Sequence, residues 1–173
     1  YGLILSTSSN SLIYNNYFET NDKAVWISTY YGGMINMWLE NNTFTKILNE
    51  YYTPSSENAA LRFGRLSDMV NTRLINNKYL DGFDSDEYYF SGINGDYDLI
   101  KKHYLHVYVK DSSEVPIQNA FVRVLPQENG SEINGYTDNN GYVRLDLIEY
   151  TESGTLSSGG SHNRVMNAPY DVY

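Results

Sequence analysis

Four carboxylates stand close together at Asp81, Asp84, Asp86 and Glu87, and Tyr88-Tyr89-Phe90 follows them directly. Asp84, Asp86 and Glu87 are hard oxygen donors of the kind that coordinate Ca2+, and an aromatic face beside them could hold a sugar ring. Hydrolysis of a glycoside requires two carboxylates roughly 5–9.5 Å apart, with one of them perturbed by a cleft. The sequence supplies the carboxylates but nothing that marks a cleft. A solvated acidic loop is the favoured reading, with Ca2+ as the one candidate ion and no other metal or cofactor expected.

The remaining reactive side chains assemble no catalytic group. His103 and His106 lie three apart in a strand-like segment, on opposite faces, so they cannot share one metal ion. Arg62, Arg65 and Arg73 have no companion acid motif and read as residues of a solvated face. Ser158-Gly159-Gly160-Ser161 lacks the lysine and following helix of a phosphate-binding loop. His162, next to it, reads as a loop residue. No catalytic residue is assigned, and the chain is not expected to be an enzyme in these residues.

Two other residue classes suggest contacts. Tyrosine is in excess, with 18 in the chain, and the pairs Tyr30-Tyr31, Tyr51-Tyr52 and Tyr88-Tyr89 all fall in predicted loops. Exposed tyrosines offer large rigid contacts at low entropic cost, which suits a protein interface or stacking on carbohydrate. Of the two N-glycosylation sequons, Asn41-Asn42-Thr43 falls at a predicted corner, so Asn129 of Asn129-Gly130-Ser131 is the candidate acceptor.

The elements that must position these groups are announced by one phrase written three times: Ile13-Tyr14-Asn15-Asn16-Tyr17-Phe18, Leu39-Glu40-Asn41-Asn42-Thr43-Phe44 and Leu74-Ile75-Asn76-Asn77-Lys78-Tyr79. Asparagine tolerates the left-handed conformation of a sharp corner, and its amide can bond to another amide stacked above it. Asn15, Asn16, Asn41, Asn42, Asn76 and Asn77 are therefore expected to form a structural ladder. The phrases are offset by 26 and 35 residues, as in a β-solenoid whose loops leave at a fixed corner. The apolar segments Gly2-Leu3-Ile4-Leu5, Ala24-Val25-Trp26-Ile27 and Ala59-Ala60-Leu61-Arg62-Phe63 precede the phrases and supply another sheet of the coil.

Near Asp98 the pattern changes. Leu105, Val107 and Val109 alternate with His106, Tyr108 and Lys110. Strands then follow around Phe121–Leu125, Tyr136 and Tyr142–Leu147, with a hairpin turn at Asp138-Asn139-Asn140-Gly141. Short alternating strands at this spacing predict a small β-sandwich. The fold class is all-β, with parallel β-helix coils over residues 1–98 and an antiparallel sandwich over 99–173.

Composition narrows the partners. The net charge is −9, and no basic cluster exceeds Lys101-Lys102, so nucleic acid is not expected. No apolar run is long enough for a membrane span. There are no cysteines, which removes disulfides and thiolate chemistry. Both ends of the chain read as strand, so the sequence is taken as a fragment whose earlier coils are missing.

The first part, about residues 1–95, resembles the right-handed parallel β-helix of surface proteins and carbohydrate-active, pectin-lyase-like enzymes, on its Asn-Asn corners after an inward Ile or Leu. It lacks the Gly-His-Gly and Arg-x-Lys segments of the hydrolases. The second part resembles carboxypeptidase-regulatory-like, transthyretin-like sandwiches. That likeness rests on Val107-x-Val109-x-Asp111, on Pro116-Ile117-x-Asn119-Ala120-x-Val122-x-Val124, on Thr137-Asp138-x-Asn140-Gly141-x-Val143 and on Tyr170-x-Val172.

The second resemblance implies a non-enzymatic spacer or presenting domain. Similar surface sandwiches form a Lys-to-Asn amide cross-link beside an acid, for which Lys110, Glu149 and Asn167 are the candidates. Together the two imply an extracellular or cell-surface structural protein, such as a sheath or filament module of an archaeon or bacterium. Such a protein would associate with itself or with other surface proteins. The alternative is a carbohydrate-binding or polysaccharide-processing β-helix that uses the tyrosine pairs.

Overall fold

The computed structural model describes residues 2–6, 9–20, 24–28, 33–46, 60–64, 68–80, 88–91, 95–155 and 162–173. Every regular element among them is a β-strand. The chain divides into two compact units, residues 1–100 with 152–163 and residues 101–151 with 164–173.

In the first unit each coil contributes a strand to each of three parallel sheets. Coil one is β1 (Leu3–Ser6), β2 (Ser11–Tyr14) and β3 (Tyr17–Thr20). Coil two is β4 (Val25–Ser28), β5 (Met34–Ile35) with β6 (Met37–Glu40), and β7 (Thr43–Lys46). Coil three is β8 (Leu61–Gly64), β9 (Met69–Ile75) and β10 (Lys78–Leu80). A fourth coil begins with β11 (Tyr88–Ser91) and the first residues of β12 (Asp96–Tyr108). The coil strands run β1-β4-β8-β11, β2-β6-β9 with β12 next to β9, and β3-β7-β10, and the pairs among the three full coils and β8-β11 are parallel. These are the expected β-helix coils.

Register explains why like residues stack. Leu3 pairs with Val25, Val25 with Leu61 and Leu61 with Tyr88; Ile13 pairs with Leu39, and Leu39 with Leu74. A one-residue slip in any strand would turn its apolar set outward, so burial on one face fixes the pairing. Val25, Ile27, Met37, Leu39, Leu61, Phe63 and Leu74 are all buried. Each contributes about 1.5–3 kcal/mol by burial. Phe18, Phe44 and Tyr79 form an inward aromatic stack, with centroids 5.2 and 5.3 Å apart. The longer second offset falls between β7 and β8, and the strands on either side of it keep their register.

The second unit holds the rest of β12 together with β13 (Phe121–Pro126), β14 (Ile133–Tyr136), most of β15 (Tyr142–Thr155), the end of β16 (His162–Met166) and β17 (Tyr170–Val172). Strands β14, β13 and β17 make an antiparallel sheet. Val122, Val124 and Leu145 form its core, with Leu105, Val107, Val109, Ile133, Val143, Leu147 and Tyr170 packed against them. The alternation read from Leu105, Val107 and Val109 is thus the inward face of β12 and of the residue just past its end.

Two aspartate turns shape the loops. Asp111 Oδ1 accepts the N–H groups of Ser113 and Val115, and Asp138 Oδ1 those of Asn140 and Tyr142. The Asp138-Asn139-Asn140-Gly141 hairpin closes through the Gly141 N–H and Asp138 carbonyl at 3.0 Å. Gly141 is required there: its φ is +70°, and a Cβ would lie 2.4 Å from the Val109 carbonyl oxygen.

Candidate functional site

Each of the three coils carries two left-handed asparagines, at 10 and 15, 36 and 41, and 71 and 76. Asn10, Asn36 and Asn71 have φ of 55°, 57° and 56°; Asn15, Asn41 and Asn76 have 55°, 54° and 48°. Asparagine bears this conformation with less strain than most residues. Between each pair of corners, alternate side chains of the strand face outward.

The second asparagine of each phrase turns inward. Asn42 is fully buried and Asn77 nearly so. Asn16 Nδ2 donates to Asn42 Oδ1 at 3.1 Å, and Asn42 Nδ2 donates to Asn77 Oδ1 at 3.0 Å. Backbone groups complete the row: Asn16 N–H to Asn42 Oδ1 and Asn42 N–H to Asn77 Oδ1, with Asn42 Nδ2 to the Ile13 carbonyl and Asn77 Nδ2 to the Leu39 carbonyl. An outer row runs along the other corner, where Asn71 Nδ2 donates to Asn36 Oδ1 at 2.5 Å and Asn36 Nδ2 to Asn10 Oδ1 at 2.7 Å. Asn76 Nδ2 likewise donates to Asn41 Oδ1 at 2.8 Å. Asn15 is exposed, and its N–H donates to the Glu40 carbonyl.

Beside the Asn10-Asn36-Asn71 row lies an open groove of about 450 Å3, lined by those three residues with Ser11, Leu12 and Trp38. Leu12 and Trp38 are register partners on the outer face of the β2-β6-β9 sheet, and Arg73 is the partner of Trp38 in the next coil. The Arg73 guanidinium sits 4.7 Å from the Trp38 ring centroid, and its Nε donates to Asn71 Oδ1 at 3.0 Å. Cation–π attraction and this hydrogen bond together fix Arg73 against one side of the indole. Leu12, on the other side, is 59% exposed. The groove therefore joins an apolar floor and an aromatic wall to a row of amides.

Comparison with protein-family models, with curated proteins and with solved structures returned no match.

Two clusters of titratable groups lie elsewhere, one in each unit. In the first unit Glu152 is buried, and the Tyr88 and Tyr97 hydroxyls donate to its two oxygens at 2.9 Å each. His162 Nδ1 stands 3.9 Å away and is largely exposed. In the second unit Glu149 Oε2 meets His103 Nε2 at 2.6 Å and Lys101 Nζ at 2.8 Å. The His103 hydrogen bond first, then Lys101, hold the Glu149 carboxyl at about 2, against the opposing effect of burial. Both clusters tie strands together. Among the described residues no group of three His, Cys, Asp or Glu is placed to hold a metal ion.

Several expectations change. Tyr88 and Tyr89 are not in a loop: Tyr88–Ser91 pairs in register with Leu61–Gly64 as the fourth strand of its sheet. Alternation decides this, because Tyr88 and Phe90 continue the columns begun by Leu61 and Phe63, and the Phe63 and Phe90 rings lie 5.5 Å apart. Of Tyr89 only the backbone is described. His162 opens strand β16. Lys110 pairs with Glu114 at 2.8 Å, while Glu149 is engaged by Lys101 and His103, so the Lys110-Glu149-Asn167 trio is not assembled. Asn167 instead donates its Nδ2 to the Asn129 carbonyl at 2.7 Å.

Asn129 is exposed, and its own Nδ2 donates to the Met166 carbonyl at 3.2 Å. His106 meets the Tyr142 hydroxyl at 2.9 Å, on the face of β12 opposite His103. Tyr30, Tyr31, Tyr51, Tyr52, Arg65, Asp81, Asp84, Asp86, Glu87 and Ser158-Gly159-Gly160-Ser161 lie outside the described residues.

The outer amide row and the groove were missed from sequence. Asn10, Asn36 and Asn71 repeat with the same offsets, 26 and 35, as the Asn-Asn phrases, and Trp38 and Arg73 are also 35 apart. Extending the offsets to every asparagine would have found the row.

Proposed function

We propose that this chain is a structural and assembly module of an extracellular or cell-surface protein, with no reaction of its own in these residues. The observation that carries the reading is the repetition of three coils in register, with both corners and the inward column occupied by the same residue types each time. Such a repeat spends its sequence on stacking, which suits a stiff spacer. The sandwich that follows suits the same role, in keeping with its resemblance to carboxypeptidase-regulatory-like domains, which space or present other domains.

The edge strands indicate how such a module would assemble. Strands β1, β2 and β3 each end their sheet, and Ile4 and Tyr17 on them are 56% and 65% exposed. A parallel edge is a template for another strand, whichever chain supplies it. Sedimentation of the purified chain across a wide concentration range tests this. Association that is abolished by Ile4→Lys with Tyr17→Lys is expected. A monomer at all concentrations, or association indifferent to both lysines, would overturn the assembly reading.

A further inference from the structure

We propose that Tyr108 and Tyr142 form a site of oxidative cross-linking, at which a one-electron oxidant of the peroxidase class, fed by peroxide, joins the two rings through a carbon–carbon bond, with His106 as the base. The site is independent of the assembly reading, because all three residues belong to the second unit.

Alternation brings the pair to the surface. Val107, Val109 and Val143 pack on the core of the second unit, so their neighbours Tyr108 and Tyr142 face the other way, together with His106. Strands β12 and β15 are neighbours in one sheet, and the Val109 N–H donates to the Gly141 carbonyl at 2.8 Å, which sets Tyr108 beside Tyr142. Their ring centroids are 5.0 Å apart, with 38° between the planes. At that spacing the nearest ring carbons are in van der Waals contact, about 3.5–4 Å apart. Tyr108 is 66% exposed, so its ring can swing onto its neighbour without displacing a packed side chain.

His106 supplies what a phenol needs to give up an electron. Its Nδ1 lies 2.9 Å from the Tyr142 hydroxyl oxygen, and the two rings stack at 5.9 Å with 19° between them. With the imidazole proton on Nε2, Nδ1 accepts the phenolic proton as the electron leaves, and Tyr142 becomes a neutral phenoxyl radical. Tyr108 loses its electron to the oxidant and its proton to solvent. The two radicals couple at carbons ortho to oxygen: one C–C bond forms, and the two ortho hydrogens pass to the oxygens as both rings regain aromaticity. In sum, two phenols lose two electrons and two protons, and one peroxide is reduced to two waters.

Exposure alone does not make such a site. Tyr136 is 64% exposed in the same unit, but its ring neighbour at 5.2 Å is Phe121, which has no phenol to oxidise. The chain has no cysteine to intercept the oxidant first, and so no disulfide to tie its strands. A bond between β12 and β15 would restrict the unfolded chain in the way a disulfide does.

The test treats the full chain, dilute enough that encounters between chains are rare, with a peroxidase and limiting hydrogen peroxide, followed by trypsin. A peptide joining residues 103–110 to 124–144 and lighter by two hydrogens is expected, with fragment masses that place the bond between Tyr108 and Tyr142. Tyr108→Phe and Tyr142→Phe should each abolish it, and Tyr136→Phe should leave its yield unchanged. His106→Phe should slow its formation about tenfold. Oxidation of other tyrosines without this internal link, links between separate chains in its place, or a rate indifferent to His106→Phe would each overturn the proposal.

Discussion

Changing Asn42 to aspartate replaces one NH2 group by an oxygen and leaves the volume almost untouched, so it isolates the donor half of the buried amide row. Asn42 Nδ2 gives hydrogen bonds to the Ile13 carbonyl at 2.9 Å and to Asn77 Oδ1 at 3.0 Å. Its Oδ1 accepts from the Asn16 backbone and side chain at 3.0 and 3.1 Å. Asn42→Ala removes all four and should cost about 2–4 kcal/mol, roughly one for each independent bond plus the penalty for a stranded carbonyl. Asn42→Asp keeps the acceptor but aims an oxygen at two other oxygens inside a fully buried site. Near neutral pH that should cost about 3–5 kcal/mol, the scale for a buried charge without a partner.

The aspartate also makes the loss depend on pH. Burial and two facing acceptors raise its folded pKa above the unfolded value of about 3.9. Between those two values the unfolded chain has released the proton and the folded chain has not. Stability relative to wild type should therefore fall by about 1.4 kcal/mol per pH unit as pH rises, and recover toward pH 3. Urea unfolding followed by tryptophan fluorescence measures this, because Trp26 and Trp38 both lie in the coil unit. An Asn42→Asp protein within about 0.5 kcal/mol of wild type at pH 7, or a deficit that does not shrink at low pH, would refute the reasoning.

Three further outcomes follow from the same geometry. Glu149 has its folded pKa depressed to about 2, so its stabilising contribution is present above the unfolded value near 4.5 and lost as pH falls toward 2. Glu149→Gln should flatten the urea midpoint of the second unit over that window, and an unchanged slope would count against the Lys101-Glu149-His103 cluster. Gly141→Ala places a Cβ 2.4 Å from the Val109 oxygen at a φ of +70°, and should lower stability by more than about 1 kcal/mol in urea unfolding followed by circular dichroism. Tyr97→Phe removes one donor from buried Glu152 and should cost about 1–3 kcal/mol, read by the same tryptophan signal.

What was legible in the sequence was whatever repeats with a short period. The Ile13, Leu39 and Leu74 column and the Asn-Asn corners carry their own signal, because a buried face and a left-handed turn each restrict residue type locally. Tyr88 was misplaced because an acidic segment precedes it, and the pairing that makes it a strand comes from Leu61, 27 residues earlier. The return of Glu152–Asn163 to the coil unit was invisible for the same reason: nothing local to Glu152 names Tyr88 and Tyr97 as its partners. The groove escaped because it is formed across coils by Leu12 and Trp38, residues that look unremarkable in their own strands.

The two amide rows run in opposite senses, and the backbone dictates which. In the inner row the oxygen of Asn42 must face the Asn16 N–H of the earlier coil, so its nitrogen is left to donate to Asn77 Oδ1 in the later coil as well as to the Ile13 carbonyl. In the outer row Arg73 Nε can be met only by an oxygen of Asn71, so the nitrogens of Asn71 and then Asn36 point toward the earlier coil. Reversing either amide would set donor against donor or oxygen against oxygen at about 3 Å. The first coil consequently presents an acceptor on its inside, at Asn16, and a donor on its outside, at Asn10. A coil that adds to this edge must supply the inverse pair, an inner donor and an outer acceptor, and asparagines at the same two corners do so. The polarity of the two rows thus makes the edge specific for another coil of its own kind.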